Sequence, residues 1–143
     1  MPSSAVCVDA SFVVALVTAE AASRNALDLW AEWAMAEVQV IAPALLRYEV
    51  TAALRRKVVR GVMSSQDARR ALEEALGLDI EYVDPEGLPL QAFALAESLG
   101  RPTTYDTHYL ALSERKQCPL WTADERFHNA VHGHFPSICL LTG

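Results

Sequence analysis

Residues 6–16 read VCVDASFVVAL. Val6-Cys7-Val8 is a short, uninterrupted apolar run and reads as a buried strand over about 5–8. It stops at a carboxylate, Asp9. Apolar residues then resume with Phe12, Val13, Val14, Leu16 and Val17, which predicts a helix over about 10–19. Asp9 therefore stands at the carboxyl end of a strand, between two segments that both look buried. An ionised side chain in that position is costly unless it is paired, hydrogen-bonded or bound to a metal.

The alternation continues outward from this unit. A helix over about 22–36 carries Leu27, Trp30, Ala31 and Ala34 at helical spacing, and VQVIAP is a strand stopped by Pro43, which suits a first helical position. The next helix is expected from Pro43 to about Arg60, closed by Gly61, with Ser64 or Ser65 capping another that runs to about Leu76. IEYVD is a strand. Helices over about 86–99 and 105–116 follow, separated by Gly100 and Pro102. CPLWT is a strand, 124–131 a short helix, and SICLL the last strand. Five strands separated by helices predict a three-layer α/β/α sandwich around a central parallel sheet, one domain over residues 1–143. Right-handed crossovers align the carboxyl ends of the strands on one edge, where ligands of such folds bind.

Composition bounds the function. The chain has 143 residues, 52 % of them apolar and 21 % charged, as expected of a globular protein with a sizeable core. No stretch is long and apolar enough to span a membrane, and MPSSAVC lacks the basic start and apolar core of a signal peptide, so a cytoplasmic protein is expected. Cys7, Cys118 and Cys139 are far apart without a C-x-x-C pair and read as small apolar residues. The net charge of −6 argues against an indiscriminate nucleic-acid binder, but it is unevenly distributed. Residues 47–70 hold Arg47, Arg55, Arg56, Lys57, Arg60, Arg69 and Arg70 against Glu49 and Asp67, so this segment is +5 and the remainder −11. Such a surface can meet a polyanion with one face, although a solvated helix face explains the same charges.

Four acids fall where the expected sheet edge lies. Asp9 follows the first strand, Asp124 follows PLWT, and Asp106 opens the helix YDTHYLALSE. Any one of these three is also explained as a helix cap or as a charge favoured by the helix dipole. In PALLRYEVTAAL, Glu49 shares an arc with Leu45, Leu46, Val50 and Ala53, where a carboxylate needs a partner, a cation or an escape to solvent; Arg56 is one candidate partner. No basic residue stands out beside the four acids as the partner of a structural ion-pair network. Converging like charges raise one another's pKa, and a divalent cation relieves the strain. Oxygen ligands without His or Cys point to Mg²⁺ or Mn²⁺ rather than zinc.

Taken together, VCVDASFVVAL, PALLRYEVTAAL, TTYDTHYLALSE and PLWTADERFHNA resemble the PIN-domain family, most closely its VapC-type toxins from bacterial toxin–antitoxin pairs, over essentially the whole chain. The resemblance implies a metal-dependent endoribonuclease with Asp9, Glu49, Asp106 and Asp124 as its acidic quartet. Asp9 and Asp106 would be direct ligands; Glu49 and Asp124 would bind the metal or its water. Ser11 and Thr122 match supporting hydroxyl positions, and Glu125 or Asn129 matches a further acid-or-Asn position. The resemblance also implies an RNA substrate, a homodimer and a cognate antitoxin that sends a basic side chain toward the acids.

Two other classes compete with a nuclease. An Asp-based phosphotransfer or phosphatase domain also places Asp after its first strand, but the residue two positions on is Ser11, and neither an acidic pair nor a late-strand Lys is evident. A non-catalytic α/β binding module would lack turnover, and no Gly-rich phosphate loop occurs among the six glycines. His128 and His132, four apart with His134 nearby, have zinc-compatible spacing, yet Gly133 marks a fraying helix end. Trp30 and Trp33 read as packing or interface residues rather than base-stacking platforms.

Overall fold

The computed structural model describes residues 4–143, so the reading of MPSSAVC falls partly outside the described residues. Five parallel strands form one sheet in the order β3-β2-β1-β4-β5. They are β1 (Ala5–Val8), β2 (Gln39–Ala42), β3 (Glu81–Tyr82), β4 (Leu120–Thr122) and β5 (Ile138–Leu140). Seven helices connect and cover them: α1 (Ala10–Val17), α2 (Ser23–Met35), α3 (Leu45–Val59), α4 (Ser65–Leu76), α5 (Leu88–Leu99), α6 (Tyr105–Lys116) and α7 (Glu125–Val131). The expected α/β/α sandwich with a parallel sheet is present.

The chain builds outward from β1 through β2 to β3, then returns to add β4 and β5 on the other side. Strand order therefore reverses between β1 and β4, where Cys7 is paired with Leu120 and Val8 with Trp121. A reversal of this kind opens a crevice above the carboxyl ends of the two strands. Asp9 and Asp124 are the residues that follow those strands into α1 and α7.

Both faces of the sheet are filled. Cys7, Val8, Ala42 and Leu120 are fully buried, as expected of central strands covered by helices. Phe12 of α1 stacks on Trp33 of α2 with ring centroids 5.3 Å apart, and Trp33 meets Trp121 edge-on at 6.1 Å. Trp33 is thus a packing residue, and Trp30, half-buried beside it, extends the same cluster. Cys7 and Cys118 are buried free thiols, and Cys139 is a partly exposed one.

Several boundaries differ from expectation. Pro43 is not the first residue of α3, which begins at Leu45; the Ala44 N–H donates to the carboxylate of Asp84, an acid just past β3. A distant side chain supplies that helix start, so local sequence carried no sign of it. β3 shrinks from IEYVD to Glu81–Tyr82, as befits an edge strand with a single neighbour. Ser64, not Ser65, caps α4, its Oγ accepting the Asp67 N–H at 3.0 Å. Among the described residues no helix is long and apolar enough to cross a membrane.

Candidate active site

A cavity of about 370 Å³ lies at the carboxyl edge of the sheet, and Asp9, Glu49, Asp106 and Asp124 all line it. They come from the β1–α1 junction, α3, α6 and the β4–α7 junction. Ser11 lines the same space.

Asp9 is 5 % exposed and caps α1: the Phe12 N–H donates to Oδ1 at 3.1 Å, and the Ser11 hydroxyl donates to the same oxygen at 2.7 Å. Ser11 Oγ lies 3.1 Å from Thr122 Oγ1 and accepts the Ala123 N–H at 2.9 Å, while Thr122 Oγ1 accepts the Asp124 N–H at 3.0 Å. The two hydroxyls therefore tie the end of β1 to the end of β4 and set the spacing of Asp9 and Asp124. Asp124 in turn caps α7, with Oδ1 accepting the Phe127 N–H at 3.1 Å. The cap reading and the cavity reading of these two acids hold together, because both cap geometries leave the carboxylate at the crevice.

Glu49 is half-buried on α3, facing α6. Its Oε1 accepts the Tyr109 hydroxyl at 2.6 Å, not a base. Tyr109 stands one turn after Asp106 on α6 and is 1 % exposed. It was missed in the sequence; its only sign is helical spacing from Asp106, which places both on one face. Asp106 accepts from Arg101 Nη2 at 3.1 Å through Oδ2. The expectation that no base pairs with the acids is corrected there: the partner lies five residues upstream, in a turn whose direction local sequence does not disclose. Arg56, Lys57, Arg60 and Glu20 also line the cavity, and Lys57 Nζ is 2.6 Å from Glu20 Oε2.

Burial pushes the Asp9 carboxyl up to about 6, against the pull of hydrogen bonds from Thr122, Ser11 and the Phe12 N–H and with a further push from the Asp106 charge. Burial also raises Glu49, opposed by the Tyr109 hydrogen bond and reinforced by Asp106. Asp106 rises for the same first reason, opposed by Arg101 and reinforced by Asp124. The acids thus feel one another across the cavity.

The donor chemistry fits a hard divalent cation, since every candidate ligand is oxygen. Glu49, Asp106 and Asp124 each keep one carboxylate oxygen without a hydrogen bond among the described residues. As the side chains stand, no group of three or more His, Cys, Asp or Glu among the described residues is arranged to hold a metal. Asn129 is exposed, bonds to His128 and lies outside the cavity lining, as does Glu125. His132 is the C-cap of α7, so the histidines sit at the helix end read from Gly133; the His128 and His132 rings lie 4.9 Å apart.

A family profile described as PIN domain matches residues 6–132. The chain belongs to the PIN-domain family. Among curated relatives, ribonuclease VapC9 of Mycobacterium tuberculosis and VapC ribonuclease Mb0985 of Mycobacterium bovis are each 31 % identical over 94 residues, which is 66 % of this chain and 72 % of theirs. Two solved structures share the fold. PAE2754 of Pyrobaculum aerophilum has a TM-score of 0.67 at 21 % identity, over 90 % of this chain and 86 % of that one. VapC20 of Mycobacterium tuberculosis, a toxin that cleaves the sarcin–ricin loop, has a TM-score of 0.63 at 24 % identity, over 87 % and 94 %.

Proposed function

We propose that this PIN domain is an endoribonuclease that hydrolyses RNA phosphodiester bonds with Mg²⁺ or Mn²⁺, and that it is the toxin of a toxin–antitoxin pair, acting in the cytoplasm as a homodimer. One observation carries the reading: carboxylates from four separate segments line one cavity at the strand-order reversal of a PIN fold. The similarity to VapC ribonucleases supports the substrate class and the antitoxin partner.

Asp9 and Asp106 are the residues assigned to hold the cation, with Glu49 and Asp124 on the cation or its waters. When bound, the cation supplies charge stabilisation to a phosphoryl oxygen and an acidified water. The chain's own residues do the rest. Ser11 and Thr122 hold Asp9 and the start of α7 in register. Tyr109 pins Glu49 Oε1 and leaves Oε2 to orient the attacking water, and burial makes that carboxylate a better proton acceptor. Arg56, Lys57 and Arg60 line the α3 side of the cavity, where they meet the flanking phosphates.

The test is cleavage of total RNA and of a sarcin–ricin-loop oligonucleotide by purified protein, with Mg²⁺, Mn²⁺ or EDTA, and sequencing of the new ends. Asp106→Asn is expected to lower the rate at least about 100-fold while leaving circular dichroism unchanged. The Arg101–Asp106 pair favours one other reading, a binding module whose acid is neutralised internally. RNA binding without turnover in either metal would sustain that reading and sink the nuclease.

A further inference from the structure

Arg101 lies between the start of α6 and the helix α7. α5 ends at Gly100 in the left-handed region, with φ 65°, and the Arg101 N–H closes the helix on Ala96 O at 2.8 Å. That turn sends the guanidinium back onto Asp106 Oδ2, 3.1 Å away. The guanidinium carbon also sits 5.6 Å from the ring centroid of Phe127, on the helix that Asp124 caps. Both members of the ion pair are only partly exposed, 24 % for the Arg101 side chain and 32 % for that of Asp106. An arginine held by a carboxylate and an aromatic face is a fixed charge rather than a waving surface group, and partial burial reduces its screening.

We propose that Arg101 is a built-in counter-cation that sets the divalent-metal affinity of the acidic cavity. It neutralises Asp106 in the metal-free protein and opposes the incoming ion by like charge. This rests on the reading of the acids as a metal site. The alternative role, holding Asp106 in a productive rotamer, predicts the opposite sign. Loss of a mere orienting partner weakens metal binding, whereas loss of a competing charge strengthens it. Competition is favoured because Arg101 occupies only Oδ2, and Asp106 is placed independently by the first turn of α6, where Thr107 Oγ1 donates to Thr104 O at 3.0 Å.

Mn²⁺ binding to the full chain, read from loss of the free-ion EPR signal, tests this without any assay of activity. Arg101→Gln is expected to bind Mn²⁺ about five- to tenfold tighter than wild type, and Arg101→Lys within about twofold of wild type. Equal or weaker binding by Arg101→Gln, with unchanged circular dichroism, overturns the proposal while leaving the metal site intact. Absence of Mn²⁺ binding by wild type overturns the metal site and this proposal together. Should Arg101→Gln fail to fold, the Mn²⁺ affinity of Arg101→Met decides by the same sign: tighter binding than wild type supports competition, and equal or weaker binding overturns it.

Discussion

Tyr109 shows how much of this site is set by single contacts. Its hydroxyl is the one hydrogen-bond donor to Glu49 Oε1 among the described residues, and the bond holds the Glu49 carboxyl below where burial alone would put it. Tyr109→Phe is therefore expected to cost about 1–2 kcal/mol in urea unfolding and to move the acidic limb of the pH–rate profile to higher pH. An unmoved limb would show that Glu49 does not act as an ionised carboxylate in the rate-limiting step. Asp9 makes a second prediction. Its folded carboxyl is raised from 3.8 to about 6, so the folded state binds this proton more tightly than the unfolded state. The stabilising contribution is then fully present at low pH and is lost as the pH rises through about 6, up to about 3 kcal/mol. In EDTA, Asp9→Asn should be more stable than wild type near pH 7, with the gap closing toward pH 4. A variant no more stable than wild type at pH 7 would mean that the charge on Asp9 carries no penalty. The acids were legible as candidates because each stands beside an apolar run. Tyr109 and Arg101 were not, because a tyrosine in a helix and an arginine in a turn are common and only their partners mark them out.

Elements carry the site through their ends. α1 and α7 begin on the acids that they present, and α6 begins one residue before Asp106. The α5–α6 turn depends on Gly100, whose positive φ a side chain adopts poorly, although a Cβ there would meet nothing within 4 Å. Gly100→Ala is therefore expected to cost about 1 kcal/mol from backbone strain alone, lowering Tm by a few degrees, with Gly100→Asn costing less. Equal stability of Gly100→Ala and wild type in calorimetry would place the strain elsewhere. Helix existence was readable from apolar periodicity and from Gly and Ser punctuation. The start of α3 was not, because Asp84 reaches it from beyond another strand.

The whole molecule sorts its charge. Arg56, Lys57 and Arg60 line the same cavity as the four acids, so a polyanion is drawn to the bases and held off by the acids until cations neutralise them. In an Asp106→Asn background, RNA affinity should fall steeply with salt, and the Arg56→Gln/Arg60→Gln double variant should flatten the log–log slope by about 1.4. An unchanged slope would put the RNA track on another face. The alternating strands and helices, the acids at strand ends and the basic segment are local properties, written in periodicity and composition, and one chain was enough to read them. Which acid faces which, the tyrosine that holds Glu49 and the arginine that neutralises Asp106 arise from contacts between residues 5 to 112 positions apart. The Arg101 contact needs the α5–α6 turn, the Tyr109 contact needs α6 facing α3, and the Ser11–Thr122 contact needs β4 beside β1, because hydrogen bonds and charge pairs act over a few ångströms in space whatever the separation along the chain.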